Sequence, residues 1–146
     1  MSPCGKLTIL TLALVLAVRN TSAQGWAAGD SPVIGSGSTV TVSTAQPNLV
    51  RFTDNGTLTF VAGGSVTVTG AVSSLVGSGV GMSGTLSLSG GSMTKQSSFL
   101  AIGYLGGTGS LSIASGSTLN MQGSSLRIAS NEDGQRDLPS YGEVTV

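Results

Sequence analysis

Histidine is absent from this 146-residue chain, and cysteine occurs once, at Cys4. The commonest general base and metal-ligating side chain is therefore missing, and no internal disulfide can form. Charge is equally scarce: six basic and six acidic side chains give a net charge of zero. A nucleic-acid partner needs a basic surplus to displace counterions, so that class is excluded. Aromatic residues make up only 4% of the chain. What fills the space is small: 23 Gly, 24 Ser and 16 Thr make 63 of 146 residues. Disordered chains combine low hydrophobicity with high net charge, whereas 39% of this one is hydrophobic. The length suits one domain.

The first segment reads as an address. Lys6 precedes Leu7 to Val18, twelve uncharged residues, too short for the roughly 20 that a helix needs to cross a bilayer. A basic start, an apolar run and the small residues Thr21-Ser22-Ala23 follow the secretory pattern. Residues 1–23 are read as a signal peptide cleaved after Ala23, with an uncleaved anchor helix as the alternative. Cys4 stands before the apolar run instead of after it, which argues against a lipoprotein.

Beyond that segment the chain repeats itself. Gly56-Thr57-Leu58-Thr59-Phe60, Gly84-Thr85-Leu86-Ser87-Leu88, Gly109-Ser110-Leu111-Ser112-Ile113 and Gly142-Glu143-Val144-Thr145-Val146 share one pattern, whose opening glycines advance in steps of 28, 25 and 33. A second series holds Leu75, Leu100 and Leu126, 25 and 26 apart. Two series with one period mark a repeat architecture. Inside each unit, apolar residues alternate with Ser or Thr, as in a strand with one dry and one wet face. The runs end at Gly or Gly-Gly, residues suited to tight turns, and no 3.6-residue period follows Val18.

A unit of about 25 residues cannot bury its apolar face alone. Stacking the units buries it and pairs each backbone with the rungs above and below, about 4.8 Å away. The fold class expected is all-β, a right-handed parallel β-helix of about 25 residues per rung. An antiparallel β-sandwich is the alternative, because strands at this spacing also suit that class. The inward ladders are expected to be Leu58, Leu86, Leu111 and Val144; then Leu75, Leu100 and Leu126; then Val68, Met93 and Met121. Residues 24–55 read as an N-terminal cap and first rung, with Trp26 plugging the end of the stack and Gly37 to Ser43 as an early strand. Residues 56–146 read as the repeat region. Because it stops within a strand, the chain is expected to be a fragment of a longer passenger, and its open C-terminal rung is expected to self-associate.

The pattern G-T-L-x-[LI]-x-x-G-[GS]-x-[MTL], then [FL]-x-[IA]-G-x-x-G-G-T-G-[ST]-L, is clearest between Gly84 and Ile128. It resembles the repeats of autotransporter-associated and PEP-CTERM-associated exported proteins. The resemblance covers about half the chain and implies a secreted or outer-surface protein of a Gram-negative-type bacterium. Its partners would be surface glycans or other surface proteins. Neither a series of translocator-barrel strands nor a Pro-Glu-Pro sorting tail accompanies the repeats, which leaves the export route open.

Candidate chemistry is sparse. The only charge cluster is Asn131 to Tyr141, with Glu132, Asp133, Arg136 and Asp137, which reads as a loop at a rung corner and is the one candidate ligand loop. Glycosidases need two carboxyls about 5 to 10 Å apart, yet adjacent Glu132 and Asp133 would face opposite ways on a strand. Calcium wants more oxygen ligands than this loop offers. The Gly-rich runs at Gly77 to Gly81 and Gly103 to Gly109 lack the following helix and Lys-Ser/Thr of a phosphate loop. No serine has a His partner, and the nearest lysine is the distant Lys95. No catalytic, cofactor or metal residues are therefore assigned, and the protein is read as non-enzymatic. Thr39-Val40-Thr41, Thr57-Leu58-Thr59 and Thr67-Val68-Thr69 place pairs of hydroxyls on one face, but Ser replaces Thr in later copies. They are read as an ordinary wet face instead of an ice-binding array. The favoured function is a structural or adhesive stalk segment, and the alternative is a carbohydrate-binding or carbohydrate-active β-helix.

Overall fold

The structure is a computed structural model and describes residues 20–22, 25–131 and 138–146. Among them there is no helix; fourteen short strands are joined by turns. Most of the signal segment expected at 1–23 lies outside the described residues, as do Glu132, Asp133, Arg136 and Asp137.

The strands form three parallel sheets wound into a solenoid. Sheet A contains β1 (Asn20–Ser22), β3 (Thr39–Val42), β5 (Thr57–Val61), β8 (Ser83–Ser89), β11 (Thr108–Ile113) and β14 (Tyr141–Thr145), stacked in that order. Sheet B stacks β2 (Val33–Ile34), β4 (Thr53–Asp54), β7 (Ser74–Ser78), β10 (Phe99–Tyr104) and β13 (Ser125–Ser130). Sheet C stacks β6 (Ser65–Val68), β9 (Ser92–Lys95) and β12 (Thr118–Met121). From β5 onward the chain visits A, C and B in turn, so the fold is a parallel β-helix and not a sandwich. Partners in β7, β10 and β13, such as Ser74, Leu100 and Leu126, recur one position later than the step of 25 read from the repeats.

Sheet A follows the expected alternation. Val40, Leu58, Leu86, Leu111 and Val144 stack in one inward ladder, and Val42, Phe60, Leu88 and Ile113 in a second. Leu58, Phe60, Leu86, Leu88 and Leu111 are completely buried. The repeat's opening glycine has a steric cause. Gly56, Gly84, Gly109 and Gly142 come one above another as the chain turns from sheet B into sheet A. A Cβ on Gly109 would lie 2.2 Å from the Gly103 amide nitrogen and 2.6 Å from the Val76 carbonyl oxygen. Only a residue without a side chain fits there.

Two of the expected inward ladders are corrected by the observed register. In sheet B, Leu100 stacks between Ser74 and Leu126, and Ile102 between Val76 and Ile128. Leu75 instead faces outward beside Thr53 and Ala101. The partner of Leu100 is therefore Ser74 and not its neighbour, and a slip of one position moves a side chain to the opposite face. Ser74 is tolerated inside because its hydroxyl oxygen accepts a hydrogen bond from the Phe52 amide at 3.4 Å. In sheet C, Val66, Met93 and Leu119 form one ladder, and Val68, Lys95 and Met121 form the other. Met93 therefore does not stack with Val68 or Met121. Both steps in this sheet are longer than the one read from the repeats, so a strict period misaligns the rows.

Strands finish the sheets at both ends, β1 and β2 at the N-terminal one. At the N-terminal end, the Gly29 and Val50 amides donate to the carbonyl oxygens of Asn48 and Asp30 (2.8 and 2.9 Å), which sets 29–30 beside 48–50 as a rung beside the next. Half-buried Trp26 packs on the core. At the C-terminal end, β12, β13 and β14 each finish their sheet. Leu126 and Ile128, which face inward by register, are 36% and 49% exposed because no described rung covers them.

Candidate functional site

The outward positions of sheet A build a continuous hydroxyl surface. Thr39, Thr57, Thr85 and Ser110 form one row, which ends at Glu143. Thr41, Thr59, Ser87, Ser112 and Thr145 form a second. The pleat sends these side chains to the wet face while the intervening Leu and Val residues go inward. Parallel pairing repeats each row at about 4.8 Å, and the two rows stand about 6.6 Å apart along the strands. Of the three Thr-x-Thr pairs, those at 39–41 and 57–59 lie here. Thr67 belongs to sheet C, where it stacks with Thr94 and Asn120.

A cleft of about 290 Å³ opens at the edge of this surface, where the chain turns from sheet B into sheet A. Its lining includes Ser38, Thr39, Asn55, Thr57, Ser83 and Thr85, and no ionisable or apolar side chain contributes. Asn55 Oδ1 accepts from the Ser78 amide at 2.7 Å, which holds the side chain across to the next rung. Hydroxyls and one amide supply both donors and acceptors without charge. Such a lining suits a neutral, polyhydroxylated ligand.

Two charged residue types lie inside the core. Asp54 occupies an inward position in sheet B between Ile34 and Val76 and is fully buried. Its Oδ1 accepts from the Gly56 amide at 3.0 Å, but Oδ2 has no partner among the described residues. Burial pushes its pKa up to about 7, against an opposing pull from the Gly56 and Leu58 amides. Lys95, also fully buried, donates from Nζ to the carbonyl oxygens of Gly70 and Val72 at 3.2 Å each and to that of Ser97. Burial lowers its pKa. All three ammonium protons are used by backbone, so the group braces the corner between sheets C and B. Neither residue reaches the outer surface, and neither supplies a reactive group to the cleft.

Of the loop expected to bind ligands, the neck is described. Asn131 Nδ2 donates to the Leu138 carbonyl oxygen at 2.7 Å, and the Ser140 hydroxyl donates to Asn131 Oδ1. Ser140 Oγ also accepts from the Gly106 amide at 2.8 Å, which ties the neck to the rung below. Among the described residues, no three His, Cys, Asp or Glu side chains gather as a metal site would need.

Sequence reasoning overlooked both Lys95 and Asp54 as inward residues. Lys95 was detectable, since it lies close to one full period after Val68 and one before Met121. Asp54 was not, because its partner Val76 follows it sooner than a full period. Comparison with protein-family models, with curated proteins and with solved structures returns no match.

Proposed function

We propose that this chain is a non-enzymatic structural and adhesive segment of an exported bacterial surface protein, and that its hydroxyl face contacts surface polysaccharide. The observation that carries the reading is the uncharged double row of Thr and Ser on sheet A, with the polar cleft at its edge. A polysaccharide presents hydroxyls at regular intervals, and a rigid array meets many of them without ordering flexible side chains on binding. Individually weak contacts then add along the stack. The apolar run at Leu7 to Val18 followed by small residues supports export, and the repeat resemblance supports a surface location.

The test is retention of the purified protein on insoluble cellulose, chitin and peptidoglycan. Thr57→Val with Thr85→Val keeps side-chain shape and removes two central hydroxyls. It should lower retention several-fold while circular dichroism stays unchanged. Glu132→Ala with Asp133→Ala should leave retention as it was; a loss there would move the binding site to the loop. Failure of the parent protein to be retained on any of the three overturns the adhesive reading. For export, the secreted protein should begin at Gln24 when its N-terminus is sequenced, cleavage removing β1 and leaving β3 at that edge of sheet A.

A further inference from the structure

We propose that the outward face of sheet B binds an acidic polysaccharide, gripped by Arg51 and Arg127 with its sugar rings resting on the apolar side chains between them. Sheet C turns only Ser, Thr and Asn outward, at 65 and 67, 92 and 94, and 118 and 120. Sheet B departs from that rule. Its central outward row runs Val33, Thr53, Leu75, Ala101 and Arg127. Phe99 pairs with Ser125 beside that row, on the same face. Exposed Arg51 stands two residues before Thr53 and next to inward Phe52, which places it outward as well. Val33 is 71% exposed, and Leu75 and Phe99 are half-buried. Apolar side chains grouped where alternation calls for polar ones mark an interaction surface.

Charge narrows the partner. The cations among the described residues are Arg51, Lys95 and Arg127, and Lys95 is buried. Both that reach solvent are on this face. The carboxylates among the described residues are engaged elsewhere. Asp54 points inward, Glu143 is on sheet A, and Asp30 Oδ2 accepts from the Ala27 amide at 2.7 Å. The Arg127 guanidinium carbon lies 4.0 Å from the centroid of the Phe99 ring. Stacking holds the guanidinium plane and leaves its N–H edge for a carboxylate, which it can take with two parallel hydrogen bonds.

The spacing suits a chain of sugars. Arg51 precedes β4, and Arg127 is on β13, three rungs further along the sheet. With one outward position between them along the strands, they stand about 16 Å apart, the span of a few linked rings. The C–H faces of pyranose rings rest on Leu75 and its neighbours while carboxylates at either end meet the guanidinium groups. A membrane is the poorer partner. Two cations fall short of the roughly four to eight that hold anionic lipid, and Arg127 caps the ring of Phe99. This surface is separate from the hydroxyl rows of sheet A, so neither depends on the other.

Affinity electrophoresis of the purified protein through gels containing polygalacturonate tests the proposal, with the methyl-esterified polymer as the neutral control. The acidic polymer should retard the protein, less so as salt is raised, and the ester should have little effect. Arg51→Gln with Arg127→Gln should weaken retardation about fivefold, two exposed ion pairs being lost. Arg127→Lys keeps the charge without the planar fork, so it should lose part of the retardation. Thr57→Val with Thr85→Val, on sheet A, should leave it unchanged. Circular dichroism checks that these exposed substitutions preserve the fold. No retardation, equal retardation by the ester, arginine variants that behave as the parent, or a loss in the sheet A variant each overturn the proposal. So does arginine-dependent cosedimentation with phosphatidylserine vesicles in the absence of any response to the polymer.

Discussion

At the scale of single residues, two buried positions govern what this fold tolerates. Asp54 holds its proton to about pH 7 in the folded protein, against 3.8 for the free group. Between those values the folded state binds more protons than the unfolded one, so stability falls as pH rises through that window and levels off above it. The roughly three-unit gap corresponds to a loss of up to about 4 kcal/mol, large beside a typical total of about 5–15 kcal/mol. Urea unfolding at pH 5 and pH 8 should show higher stability at the lower value. Asp54→Asn keeps the acceptor for Gly56 and cannot ionise, so it should abolish most of that difference. Gly109 makes the second case. With backbone atoms 2.2 and 2.6 Å from any added Cβ, Gly109→Ala must displace the B-to-A corner. An overpacking cost of about 3 kcal/mol is expected in the same unfolding assay.

At the scale of elements, each sheet solves stacking differently. Sheet A is regular because its glycine and its alternating pattern recur in register. Sheet B carries a bulge-like kink near its end. Gly77, Gly103 and Ala129 hold positive φ of 64°, 73° and 50° in equivalent places on successive rungs. The third is an alanine in a conformation that glycine adopts more easily. Sheet C is the shortest and admits a lysine in its dry ladder, where Val68 and Met121 are its neighbours. Lys95 is kept there by carbonyls that the turn at 70–72 leaves without strand partners. Lys95→Met would fill the same space but remove the donor from the Val72 and Ser97 carbonyls, while Gly70 keeps the Ser97 hydroxyl at 2.8 Å. A lost hydrogen bond at such a part-buried acceptor costs about 1 kcal/mol, so the variant should unfold at lower urea concentration despite its better match to the ladder.

At the scale of the molecule, a short solenoid has few rungs over which to spread its stability, because each rung packs only on its neighbours.

The all-β class, the parallel stack and the inward ladder of Leu58, Leu86, Leu111 and Val144 were legible because they rest on local rules. Alternation decides which face is dry, glycine marks where backbone passes too close for a side chain, and a fixed period stacks equivalent residues. The ladders of Leu75 and Met93 were misread for a reason of the same kind. Periods that differ by one position are hard to separate in a sequence of small residues, yet each single-residue slip reverses a side chain. Register is decided by how corners close in three dimensions: by Gly109 beneath Gly103, Ser74 beside Phe52, and Lys95 across the turn at 70–72. The cleft and the burial of Asp54 likewise depend on rungs of unequal length being brought into line. Composition and period alone settled that this chain must stack; which residue rests on which, and hence which groups face solvent, followed only from the closure of the coil.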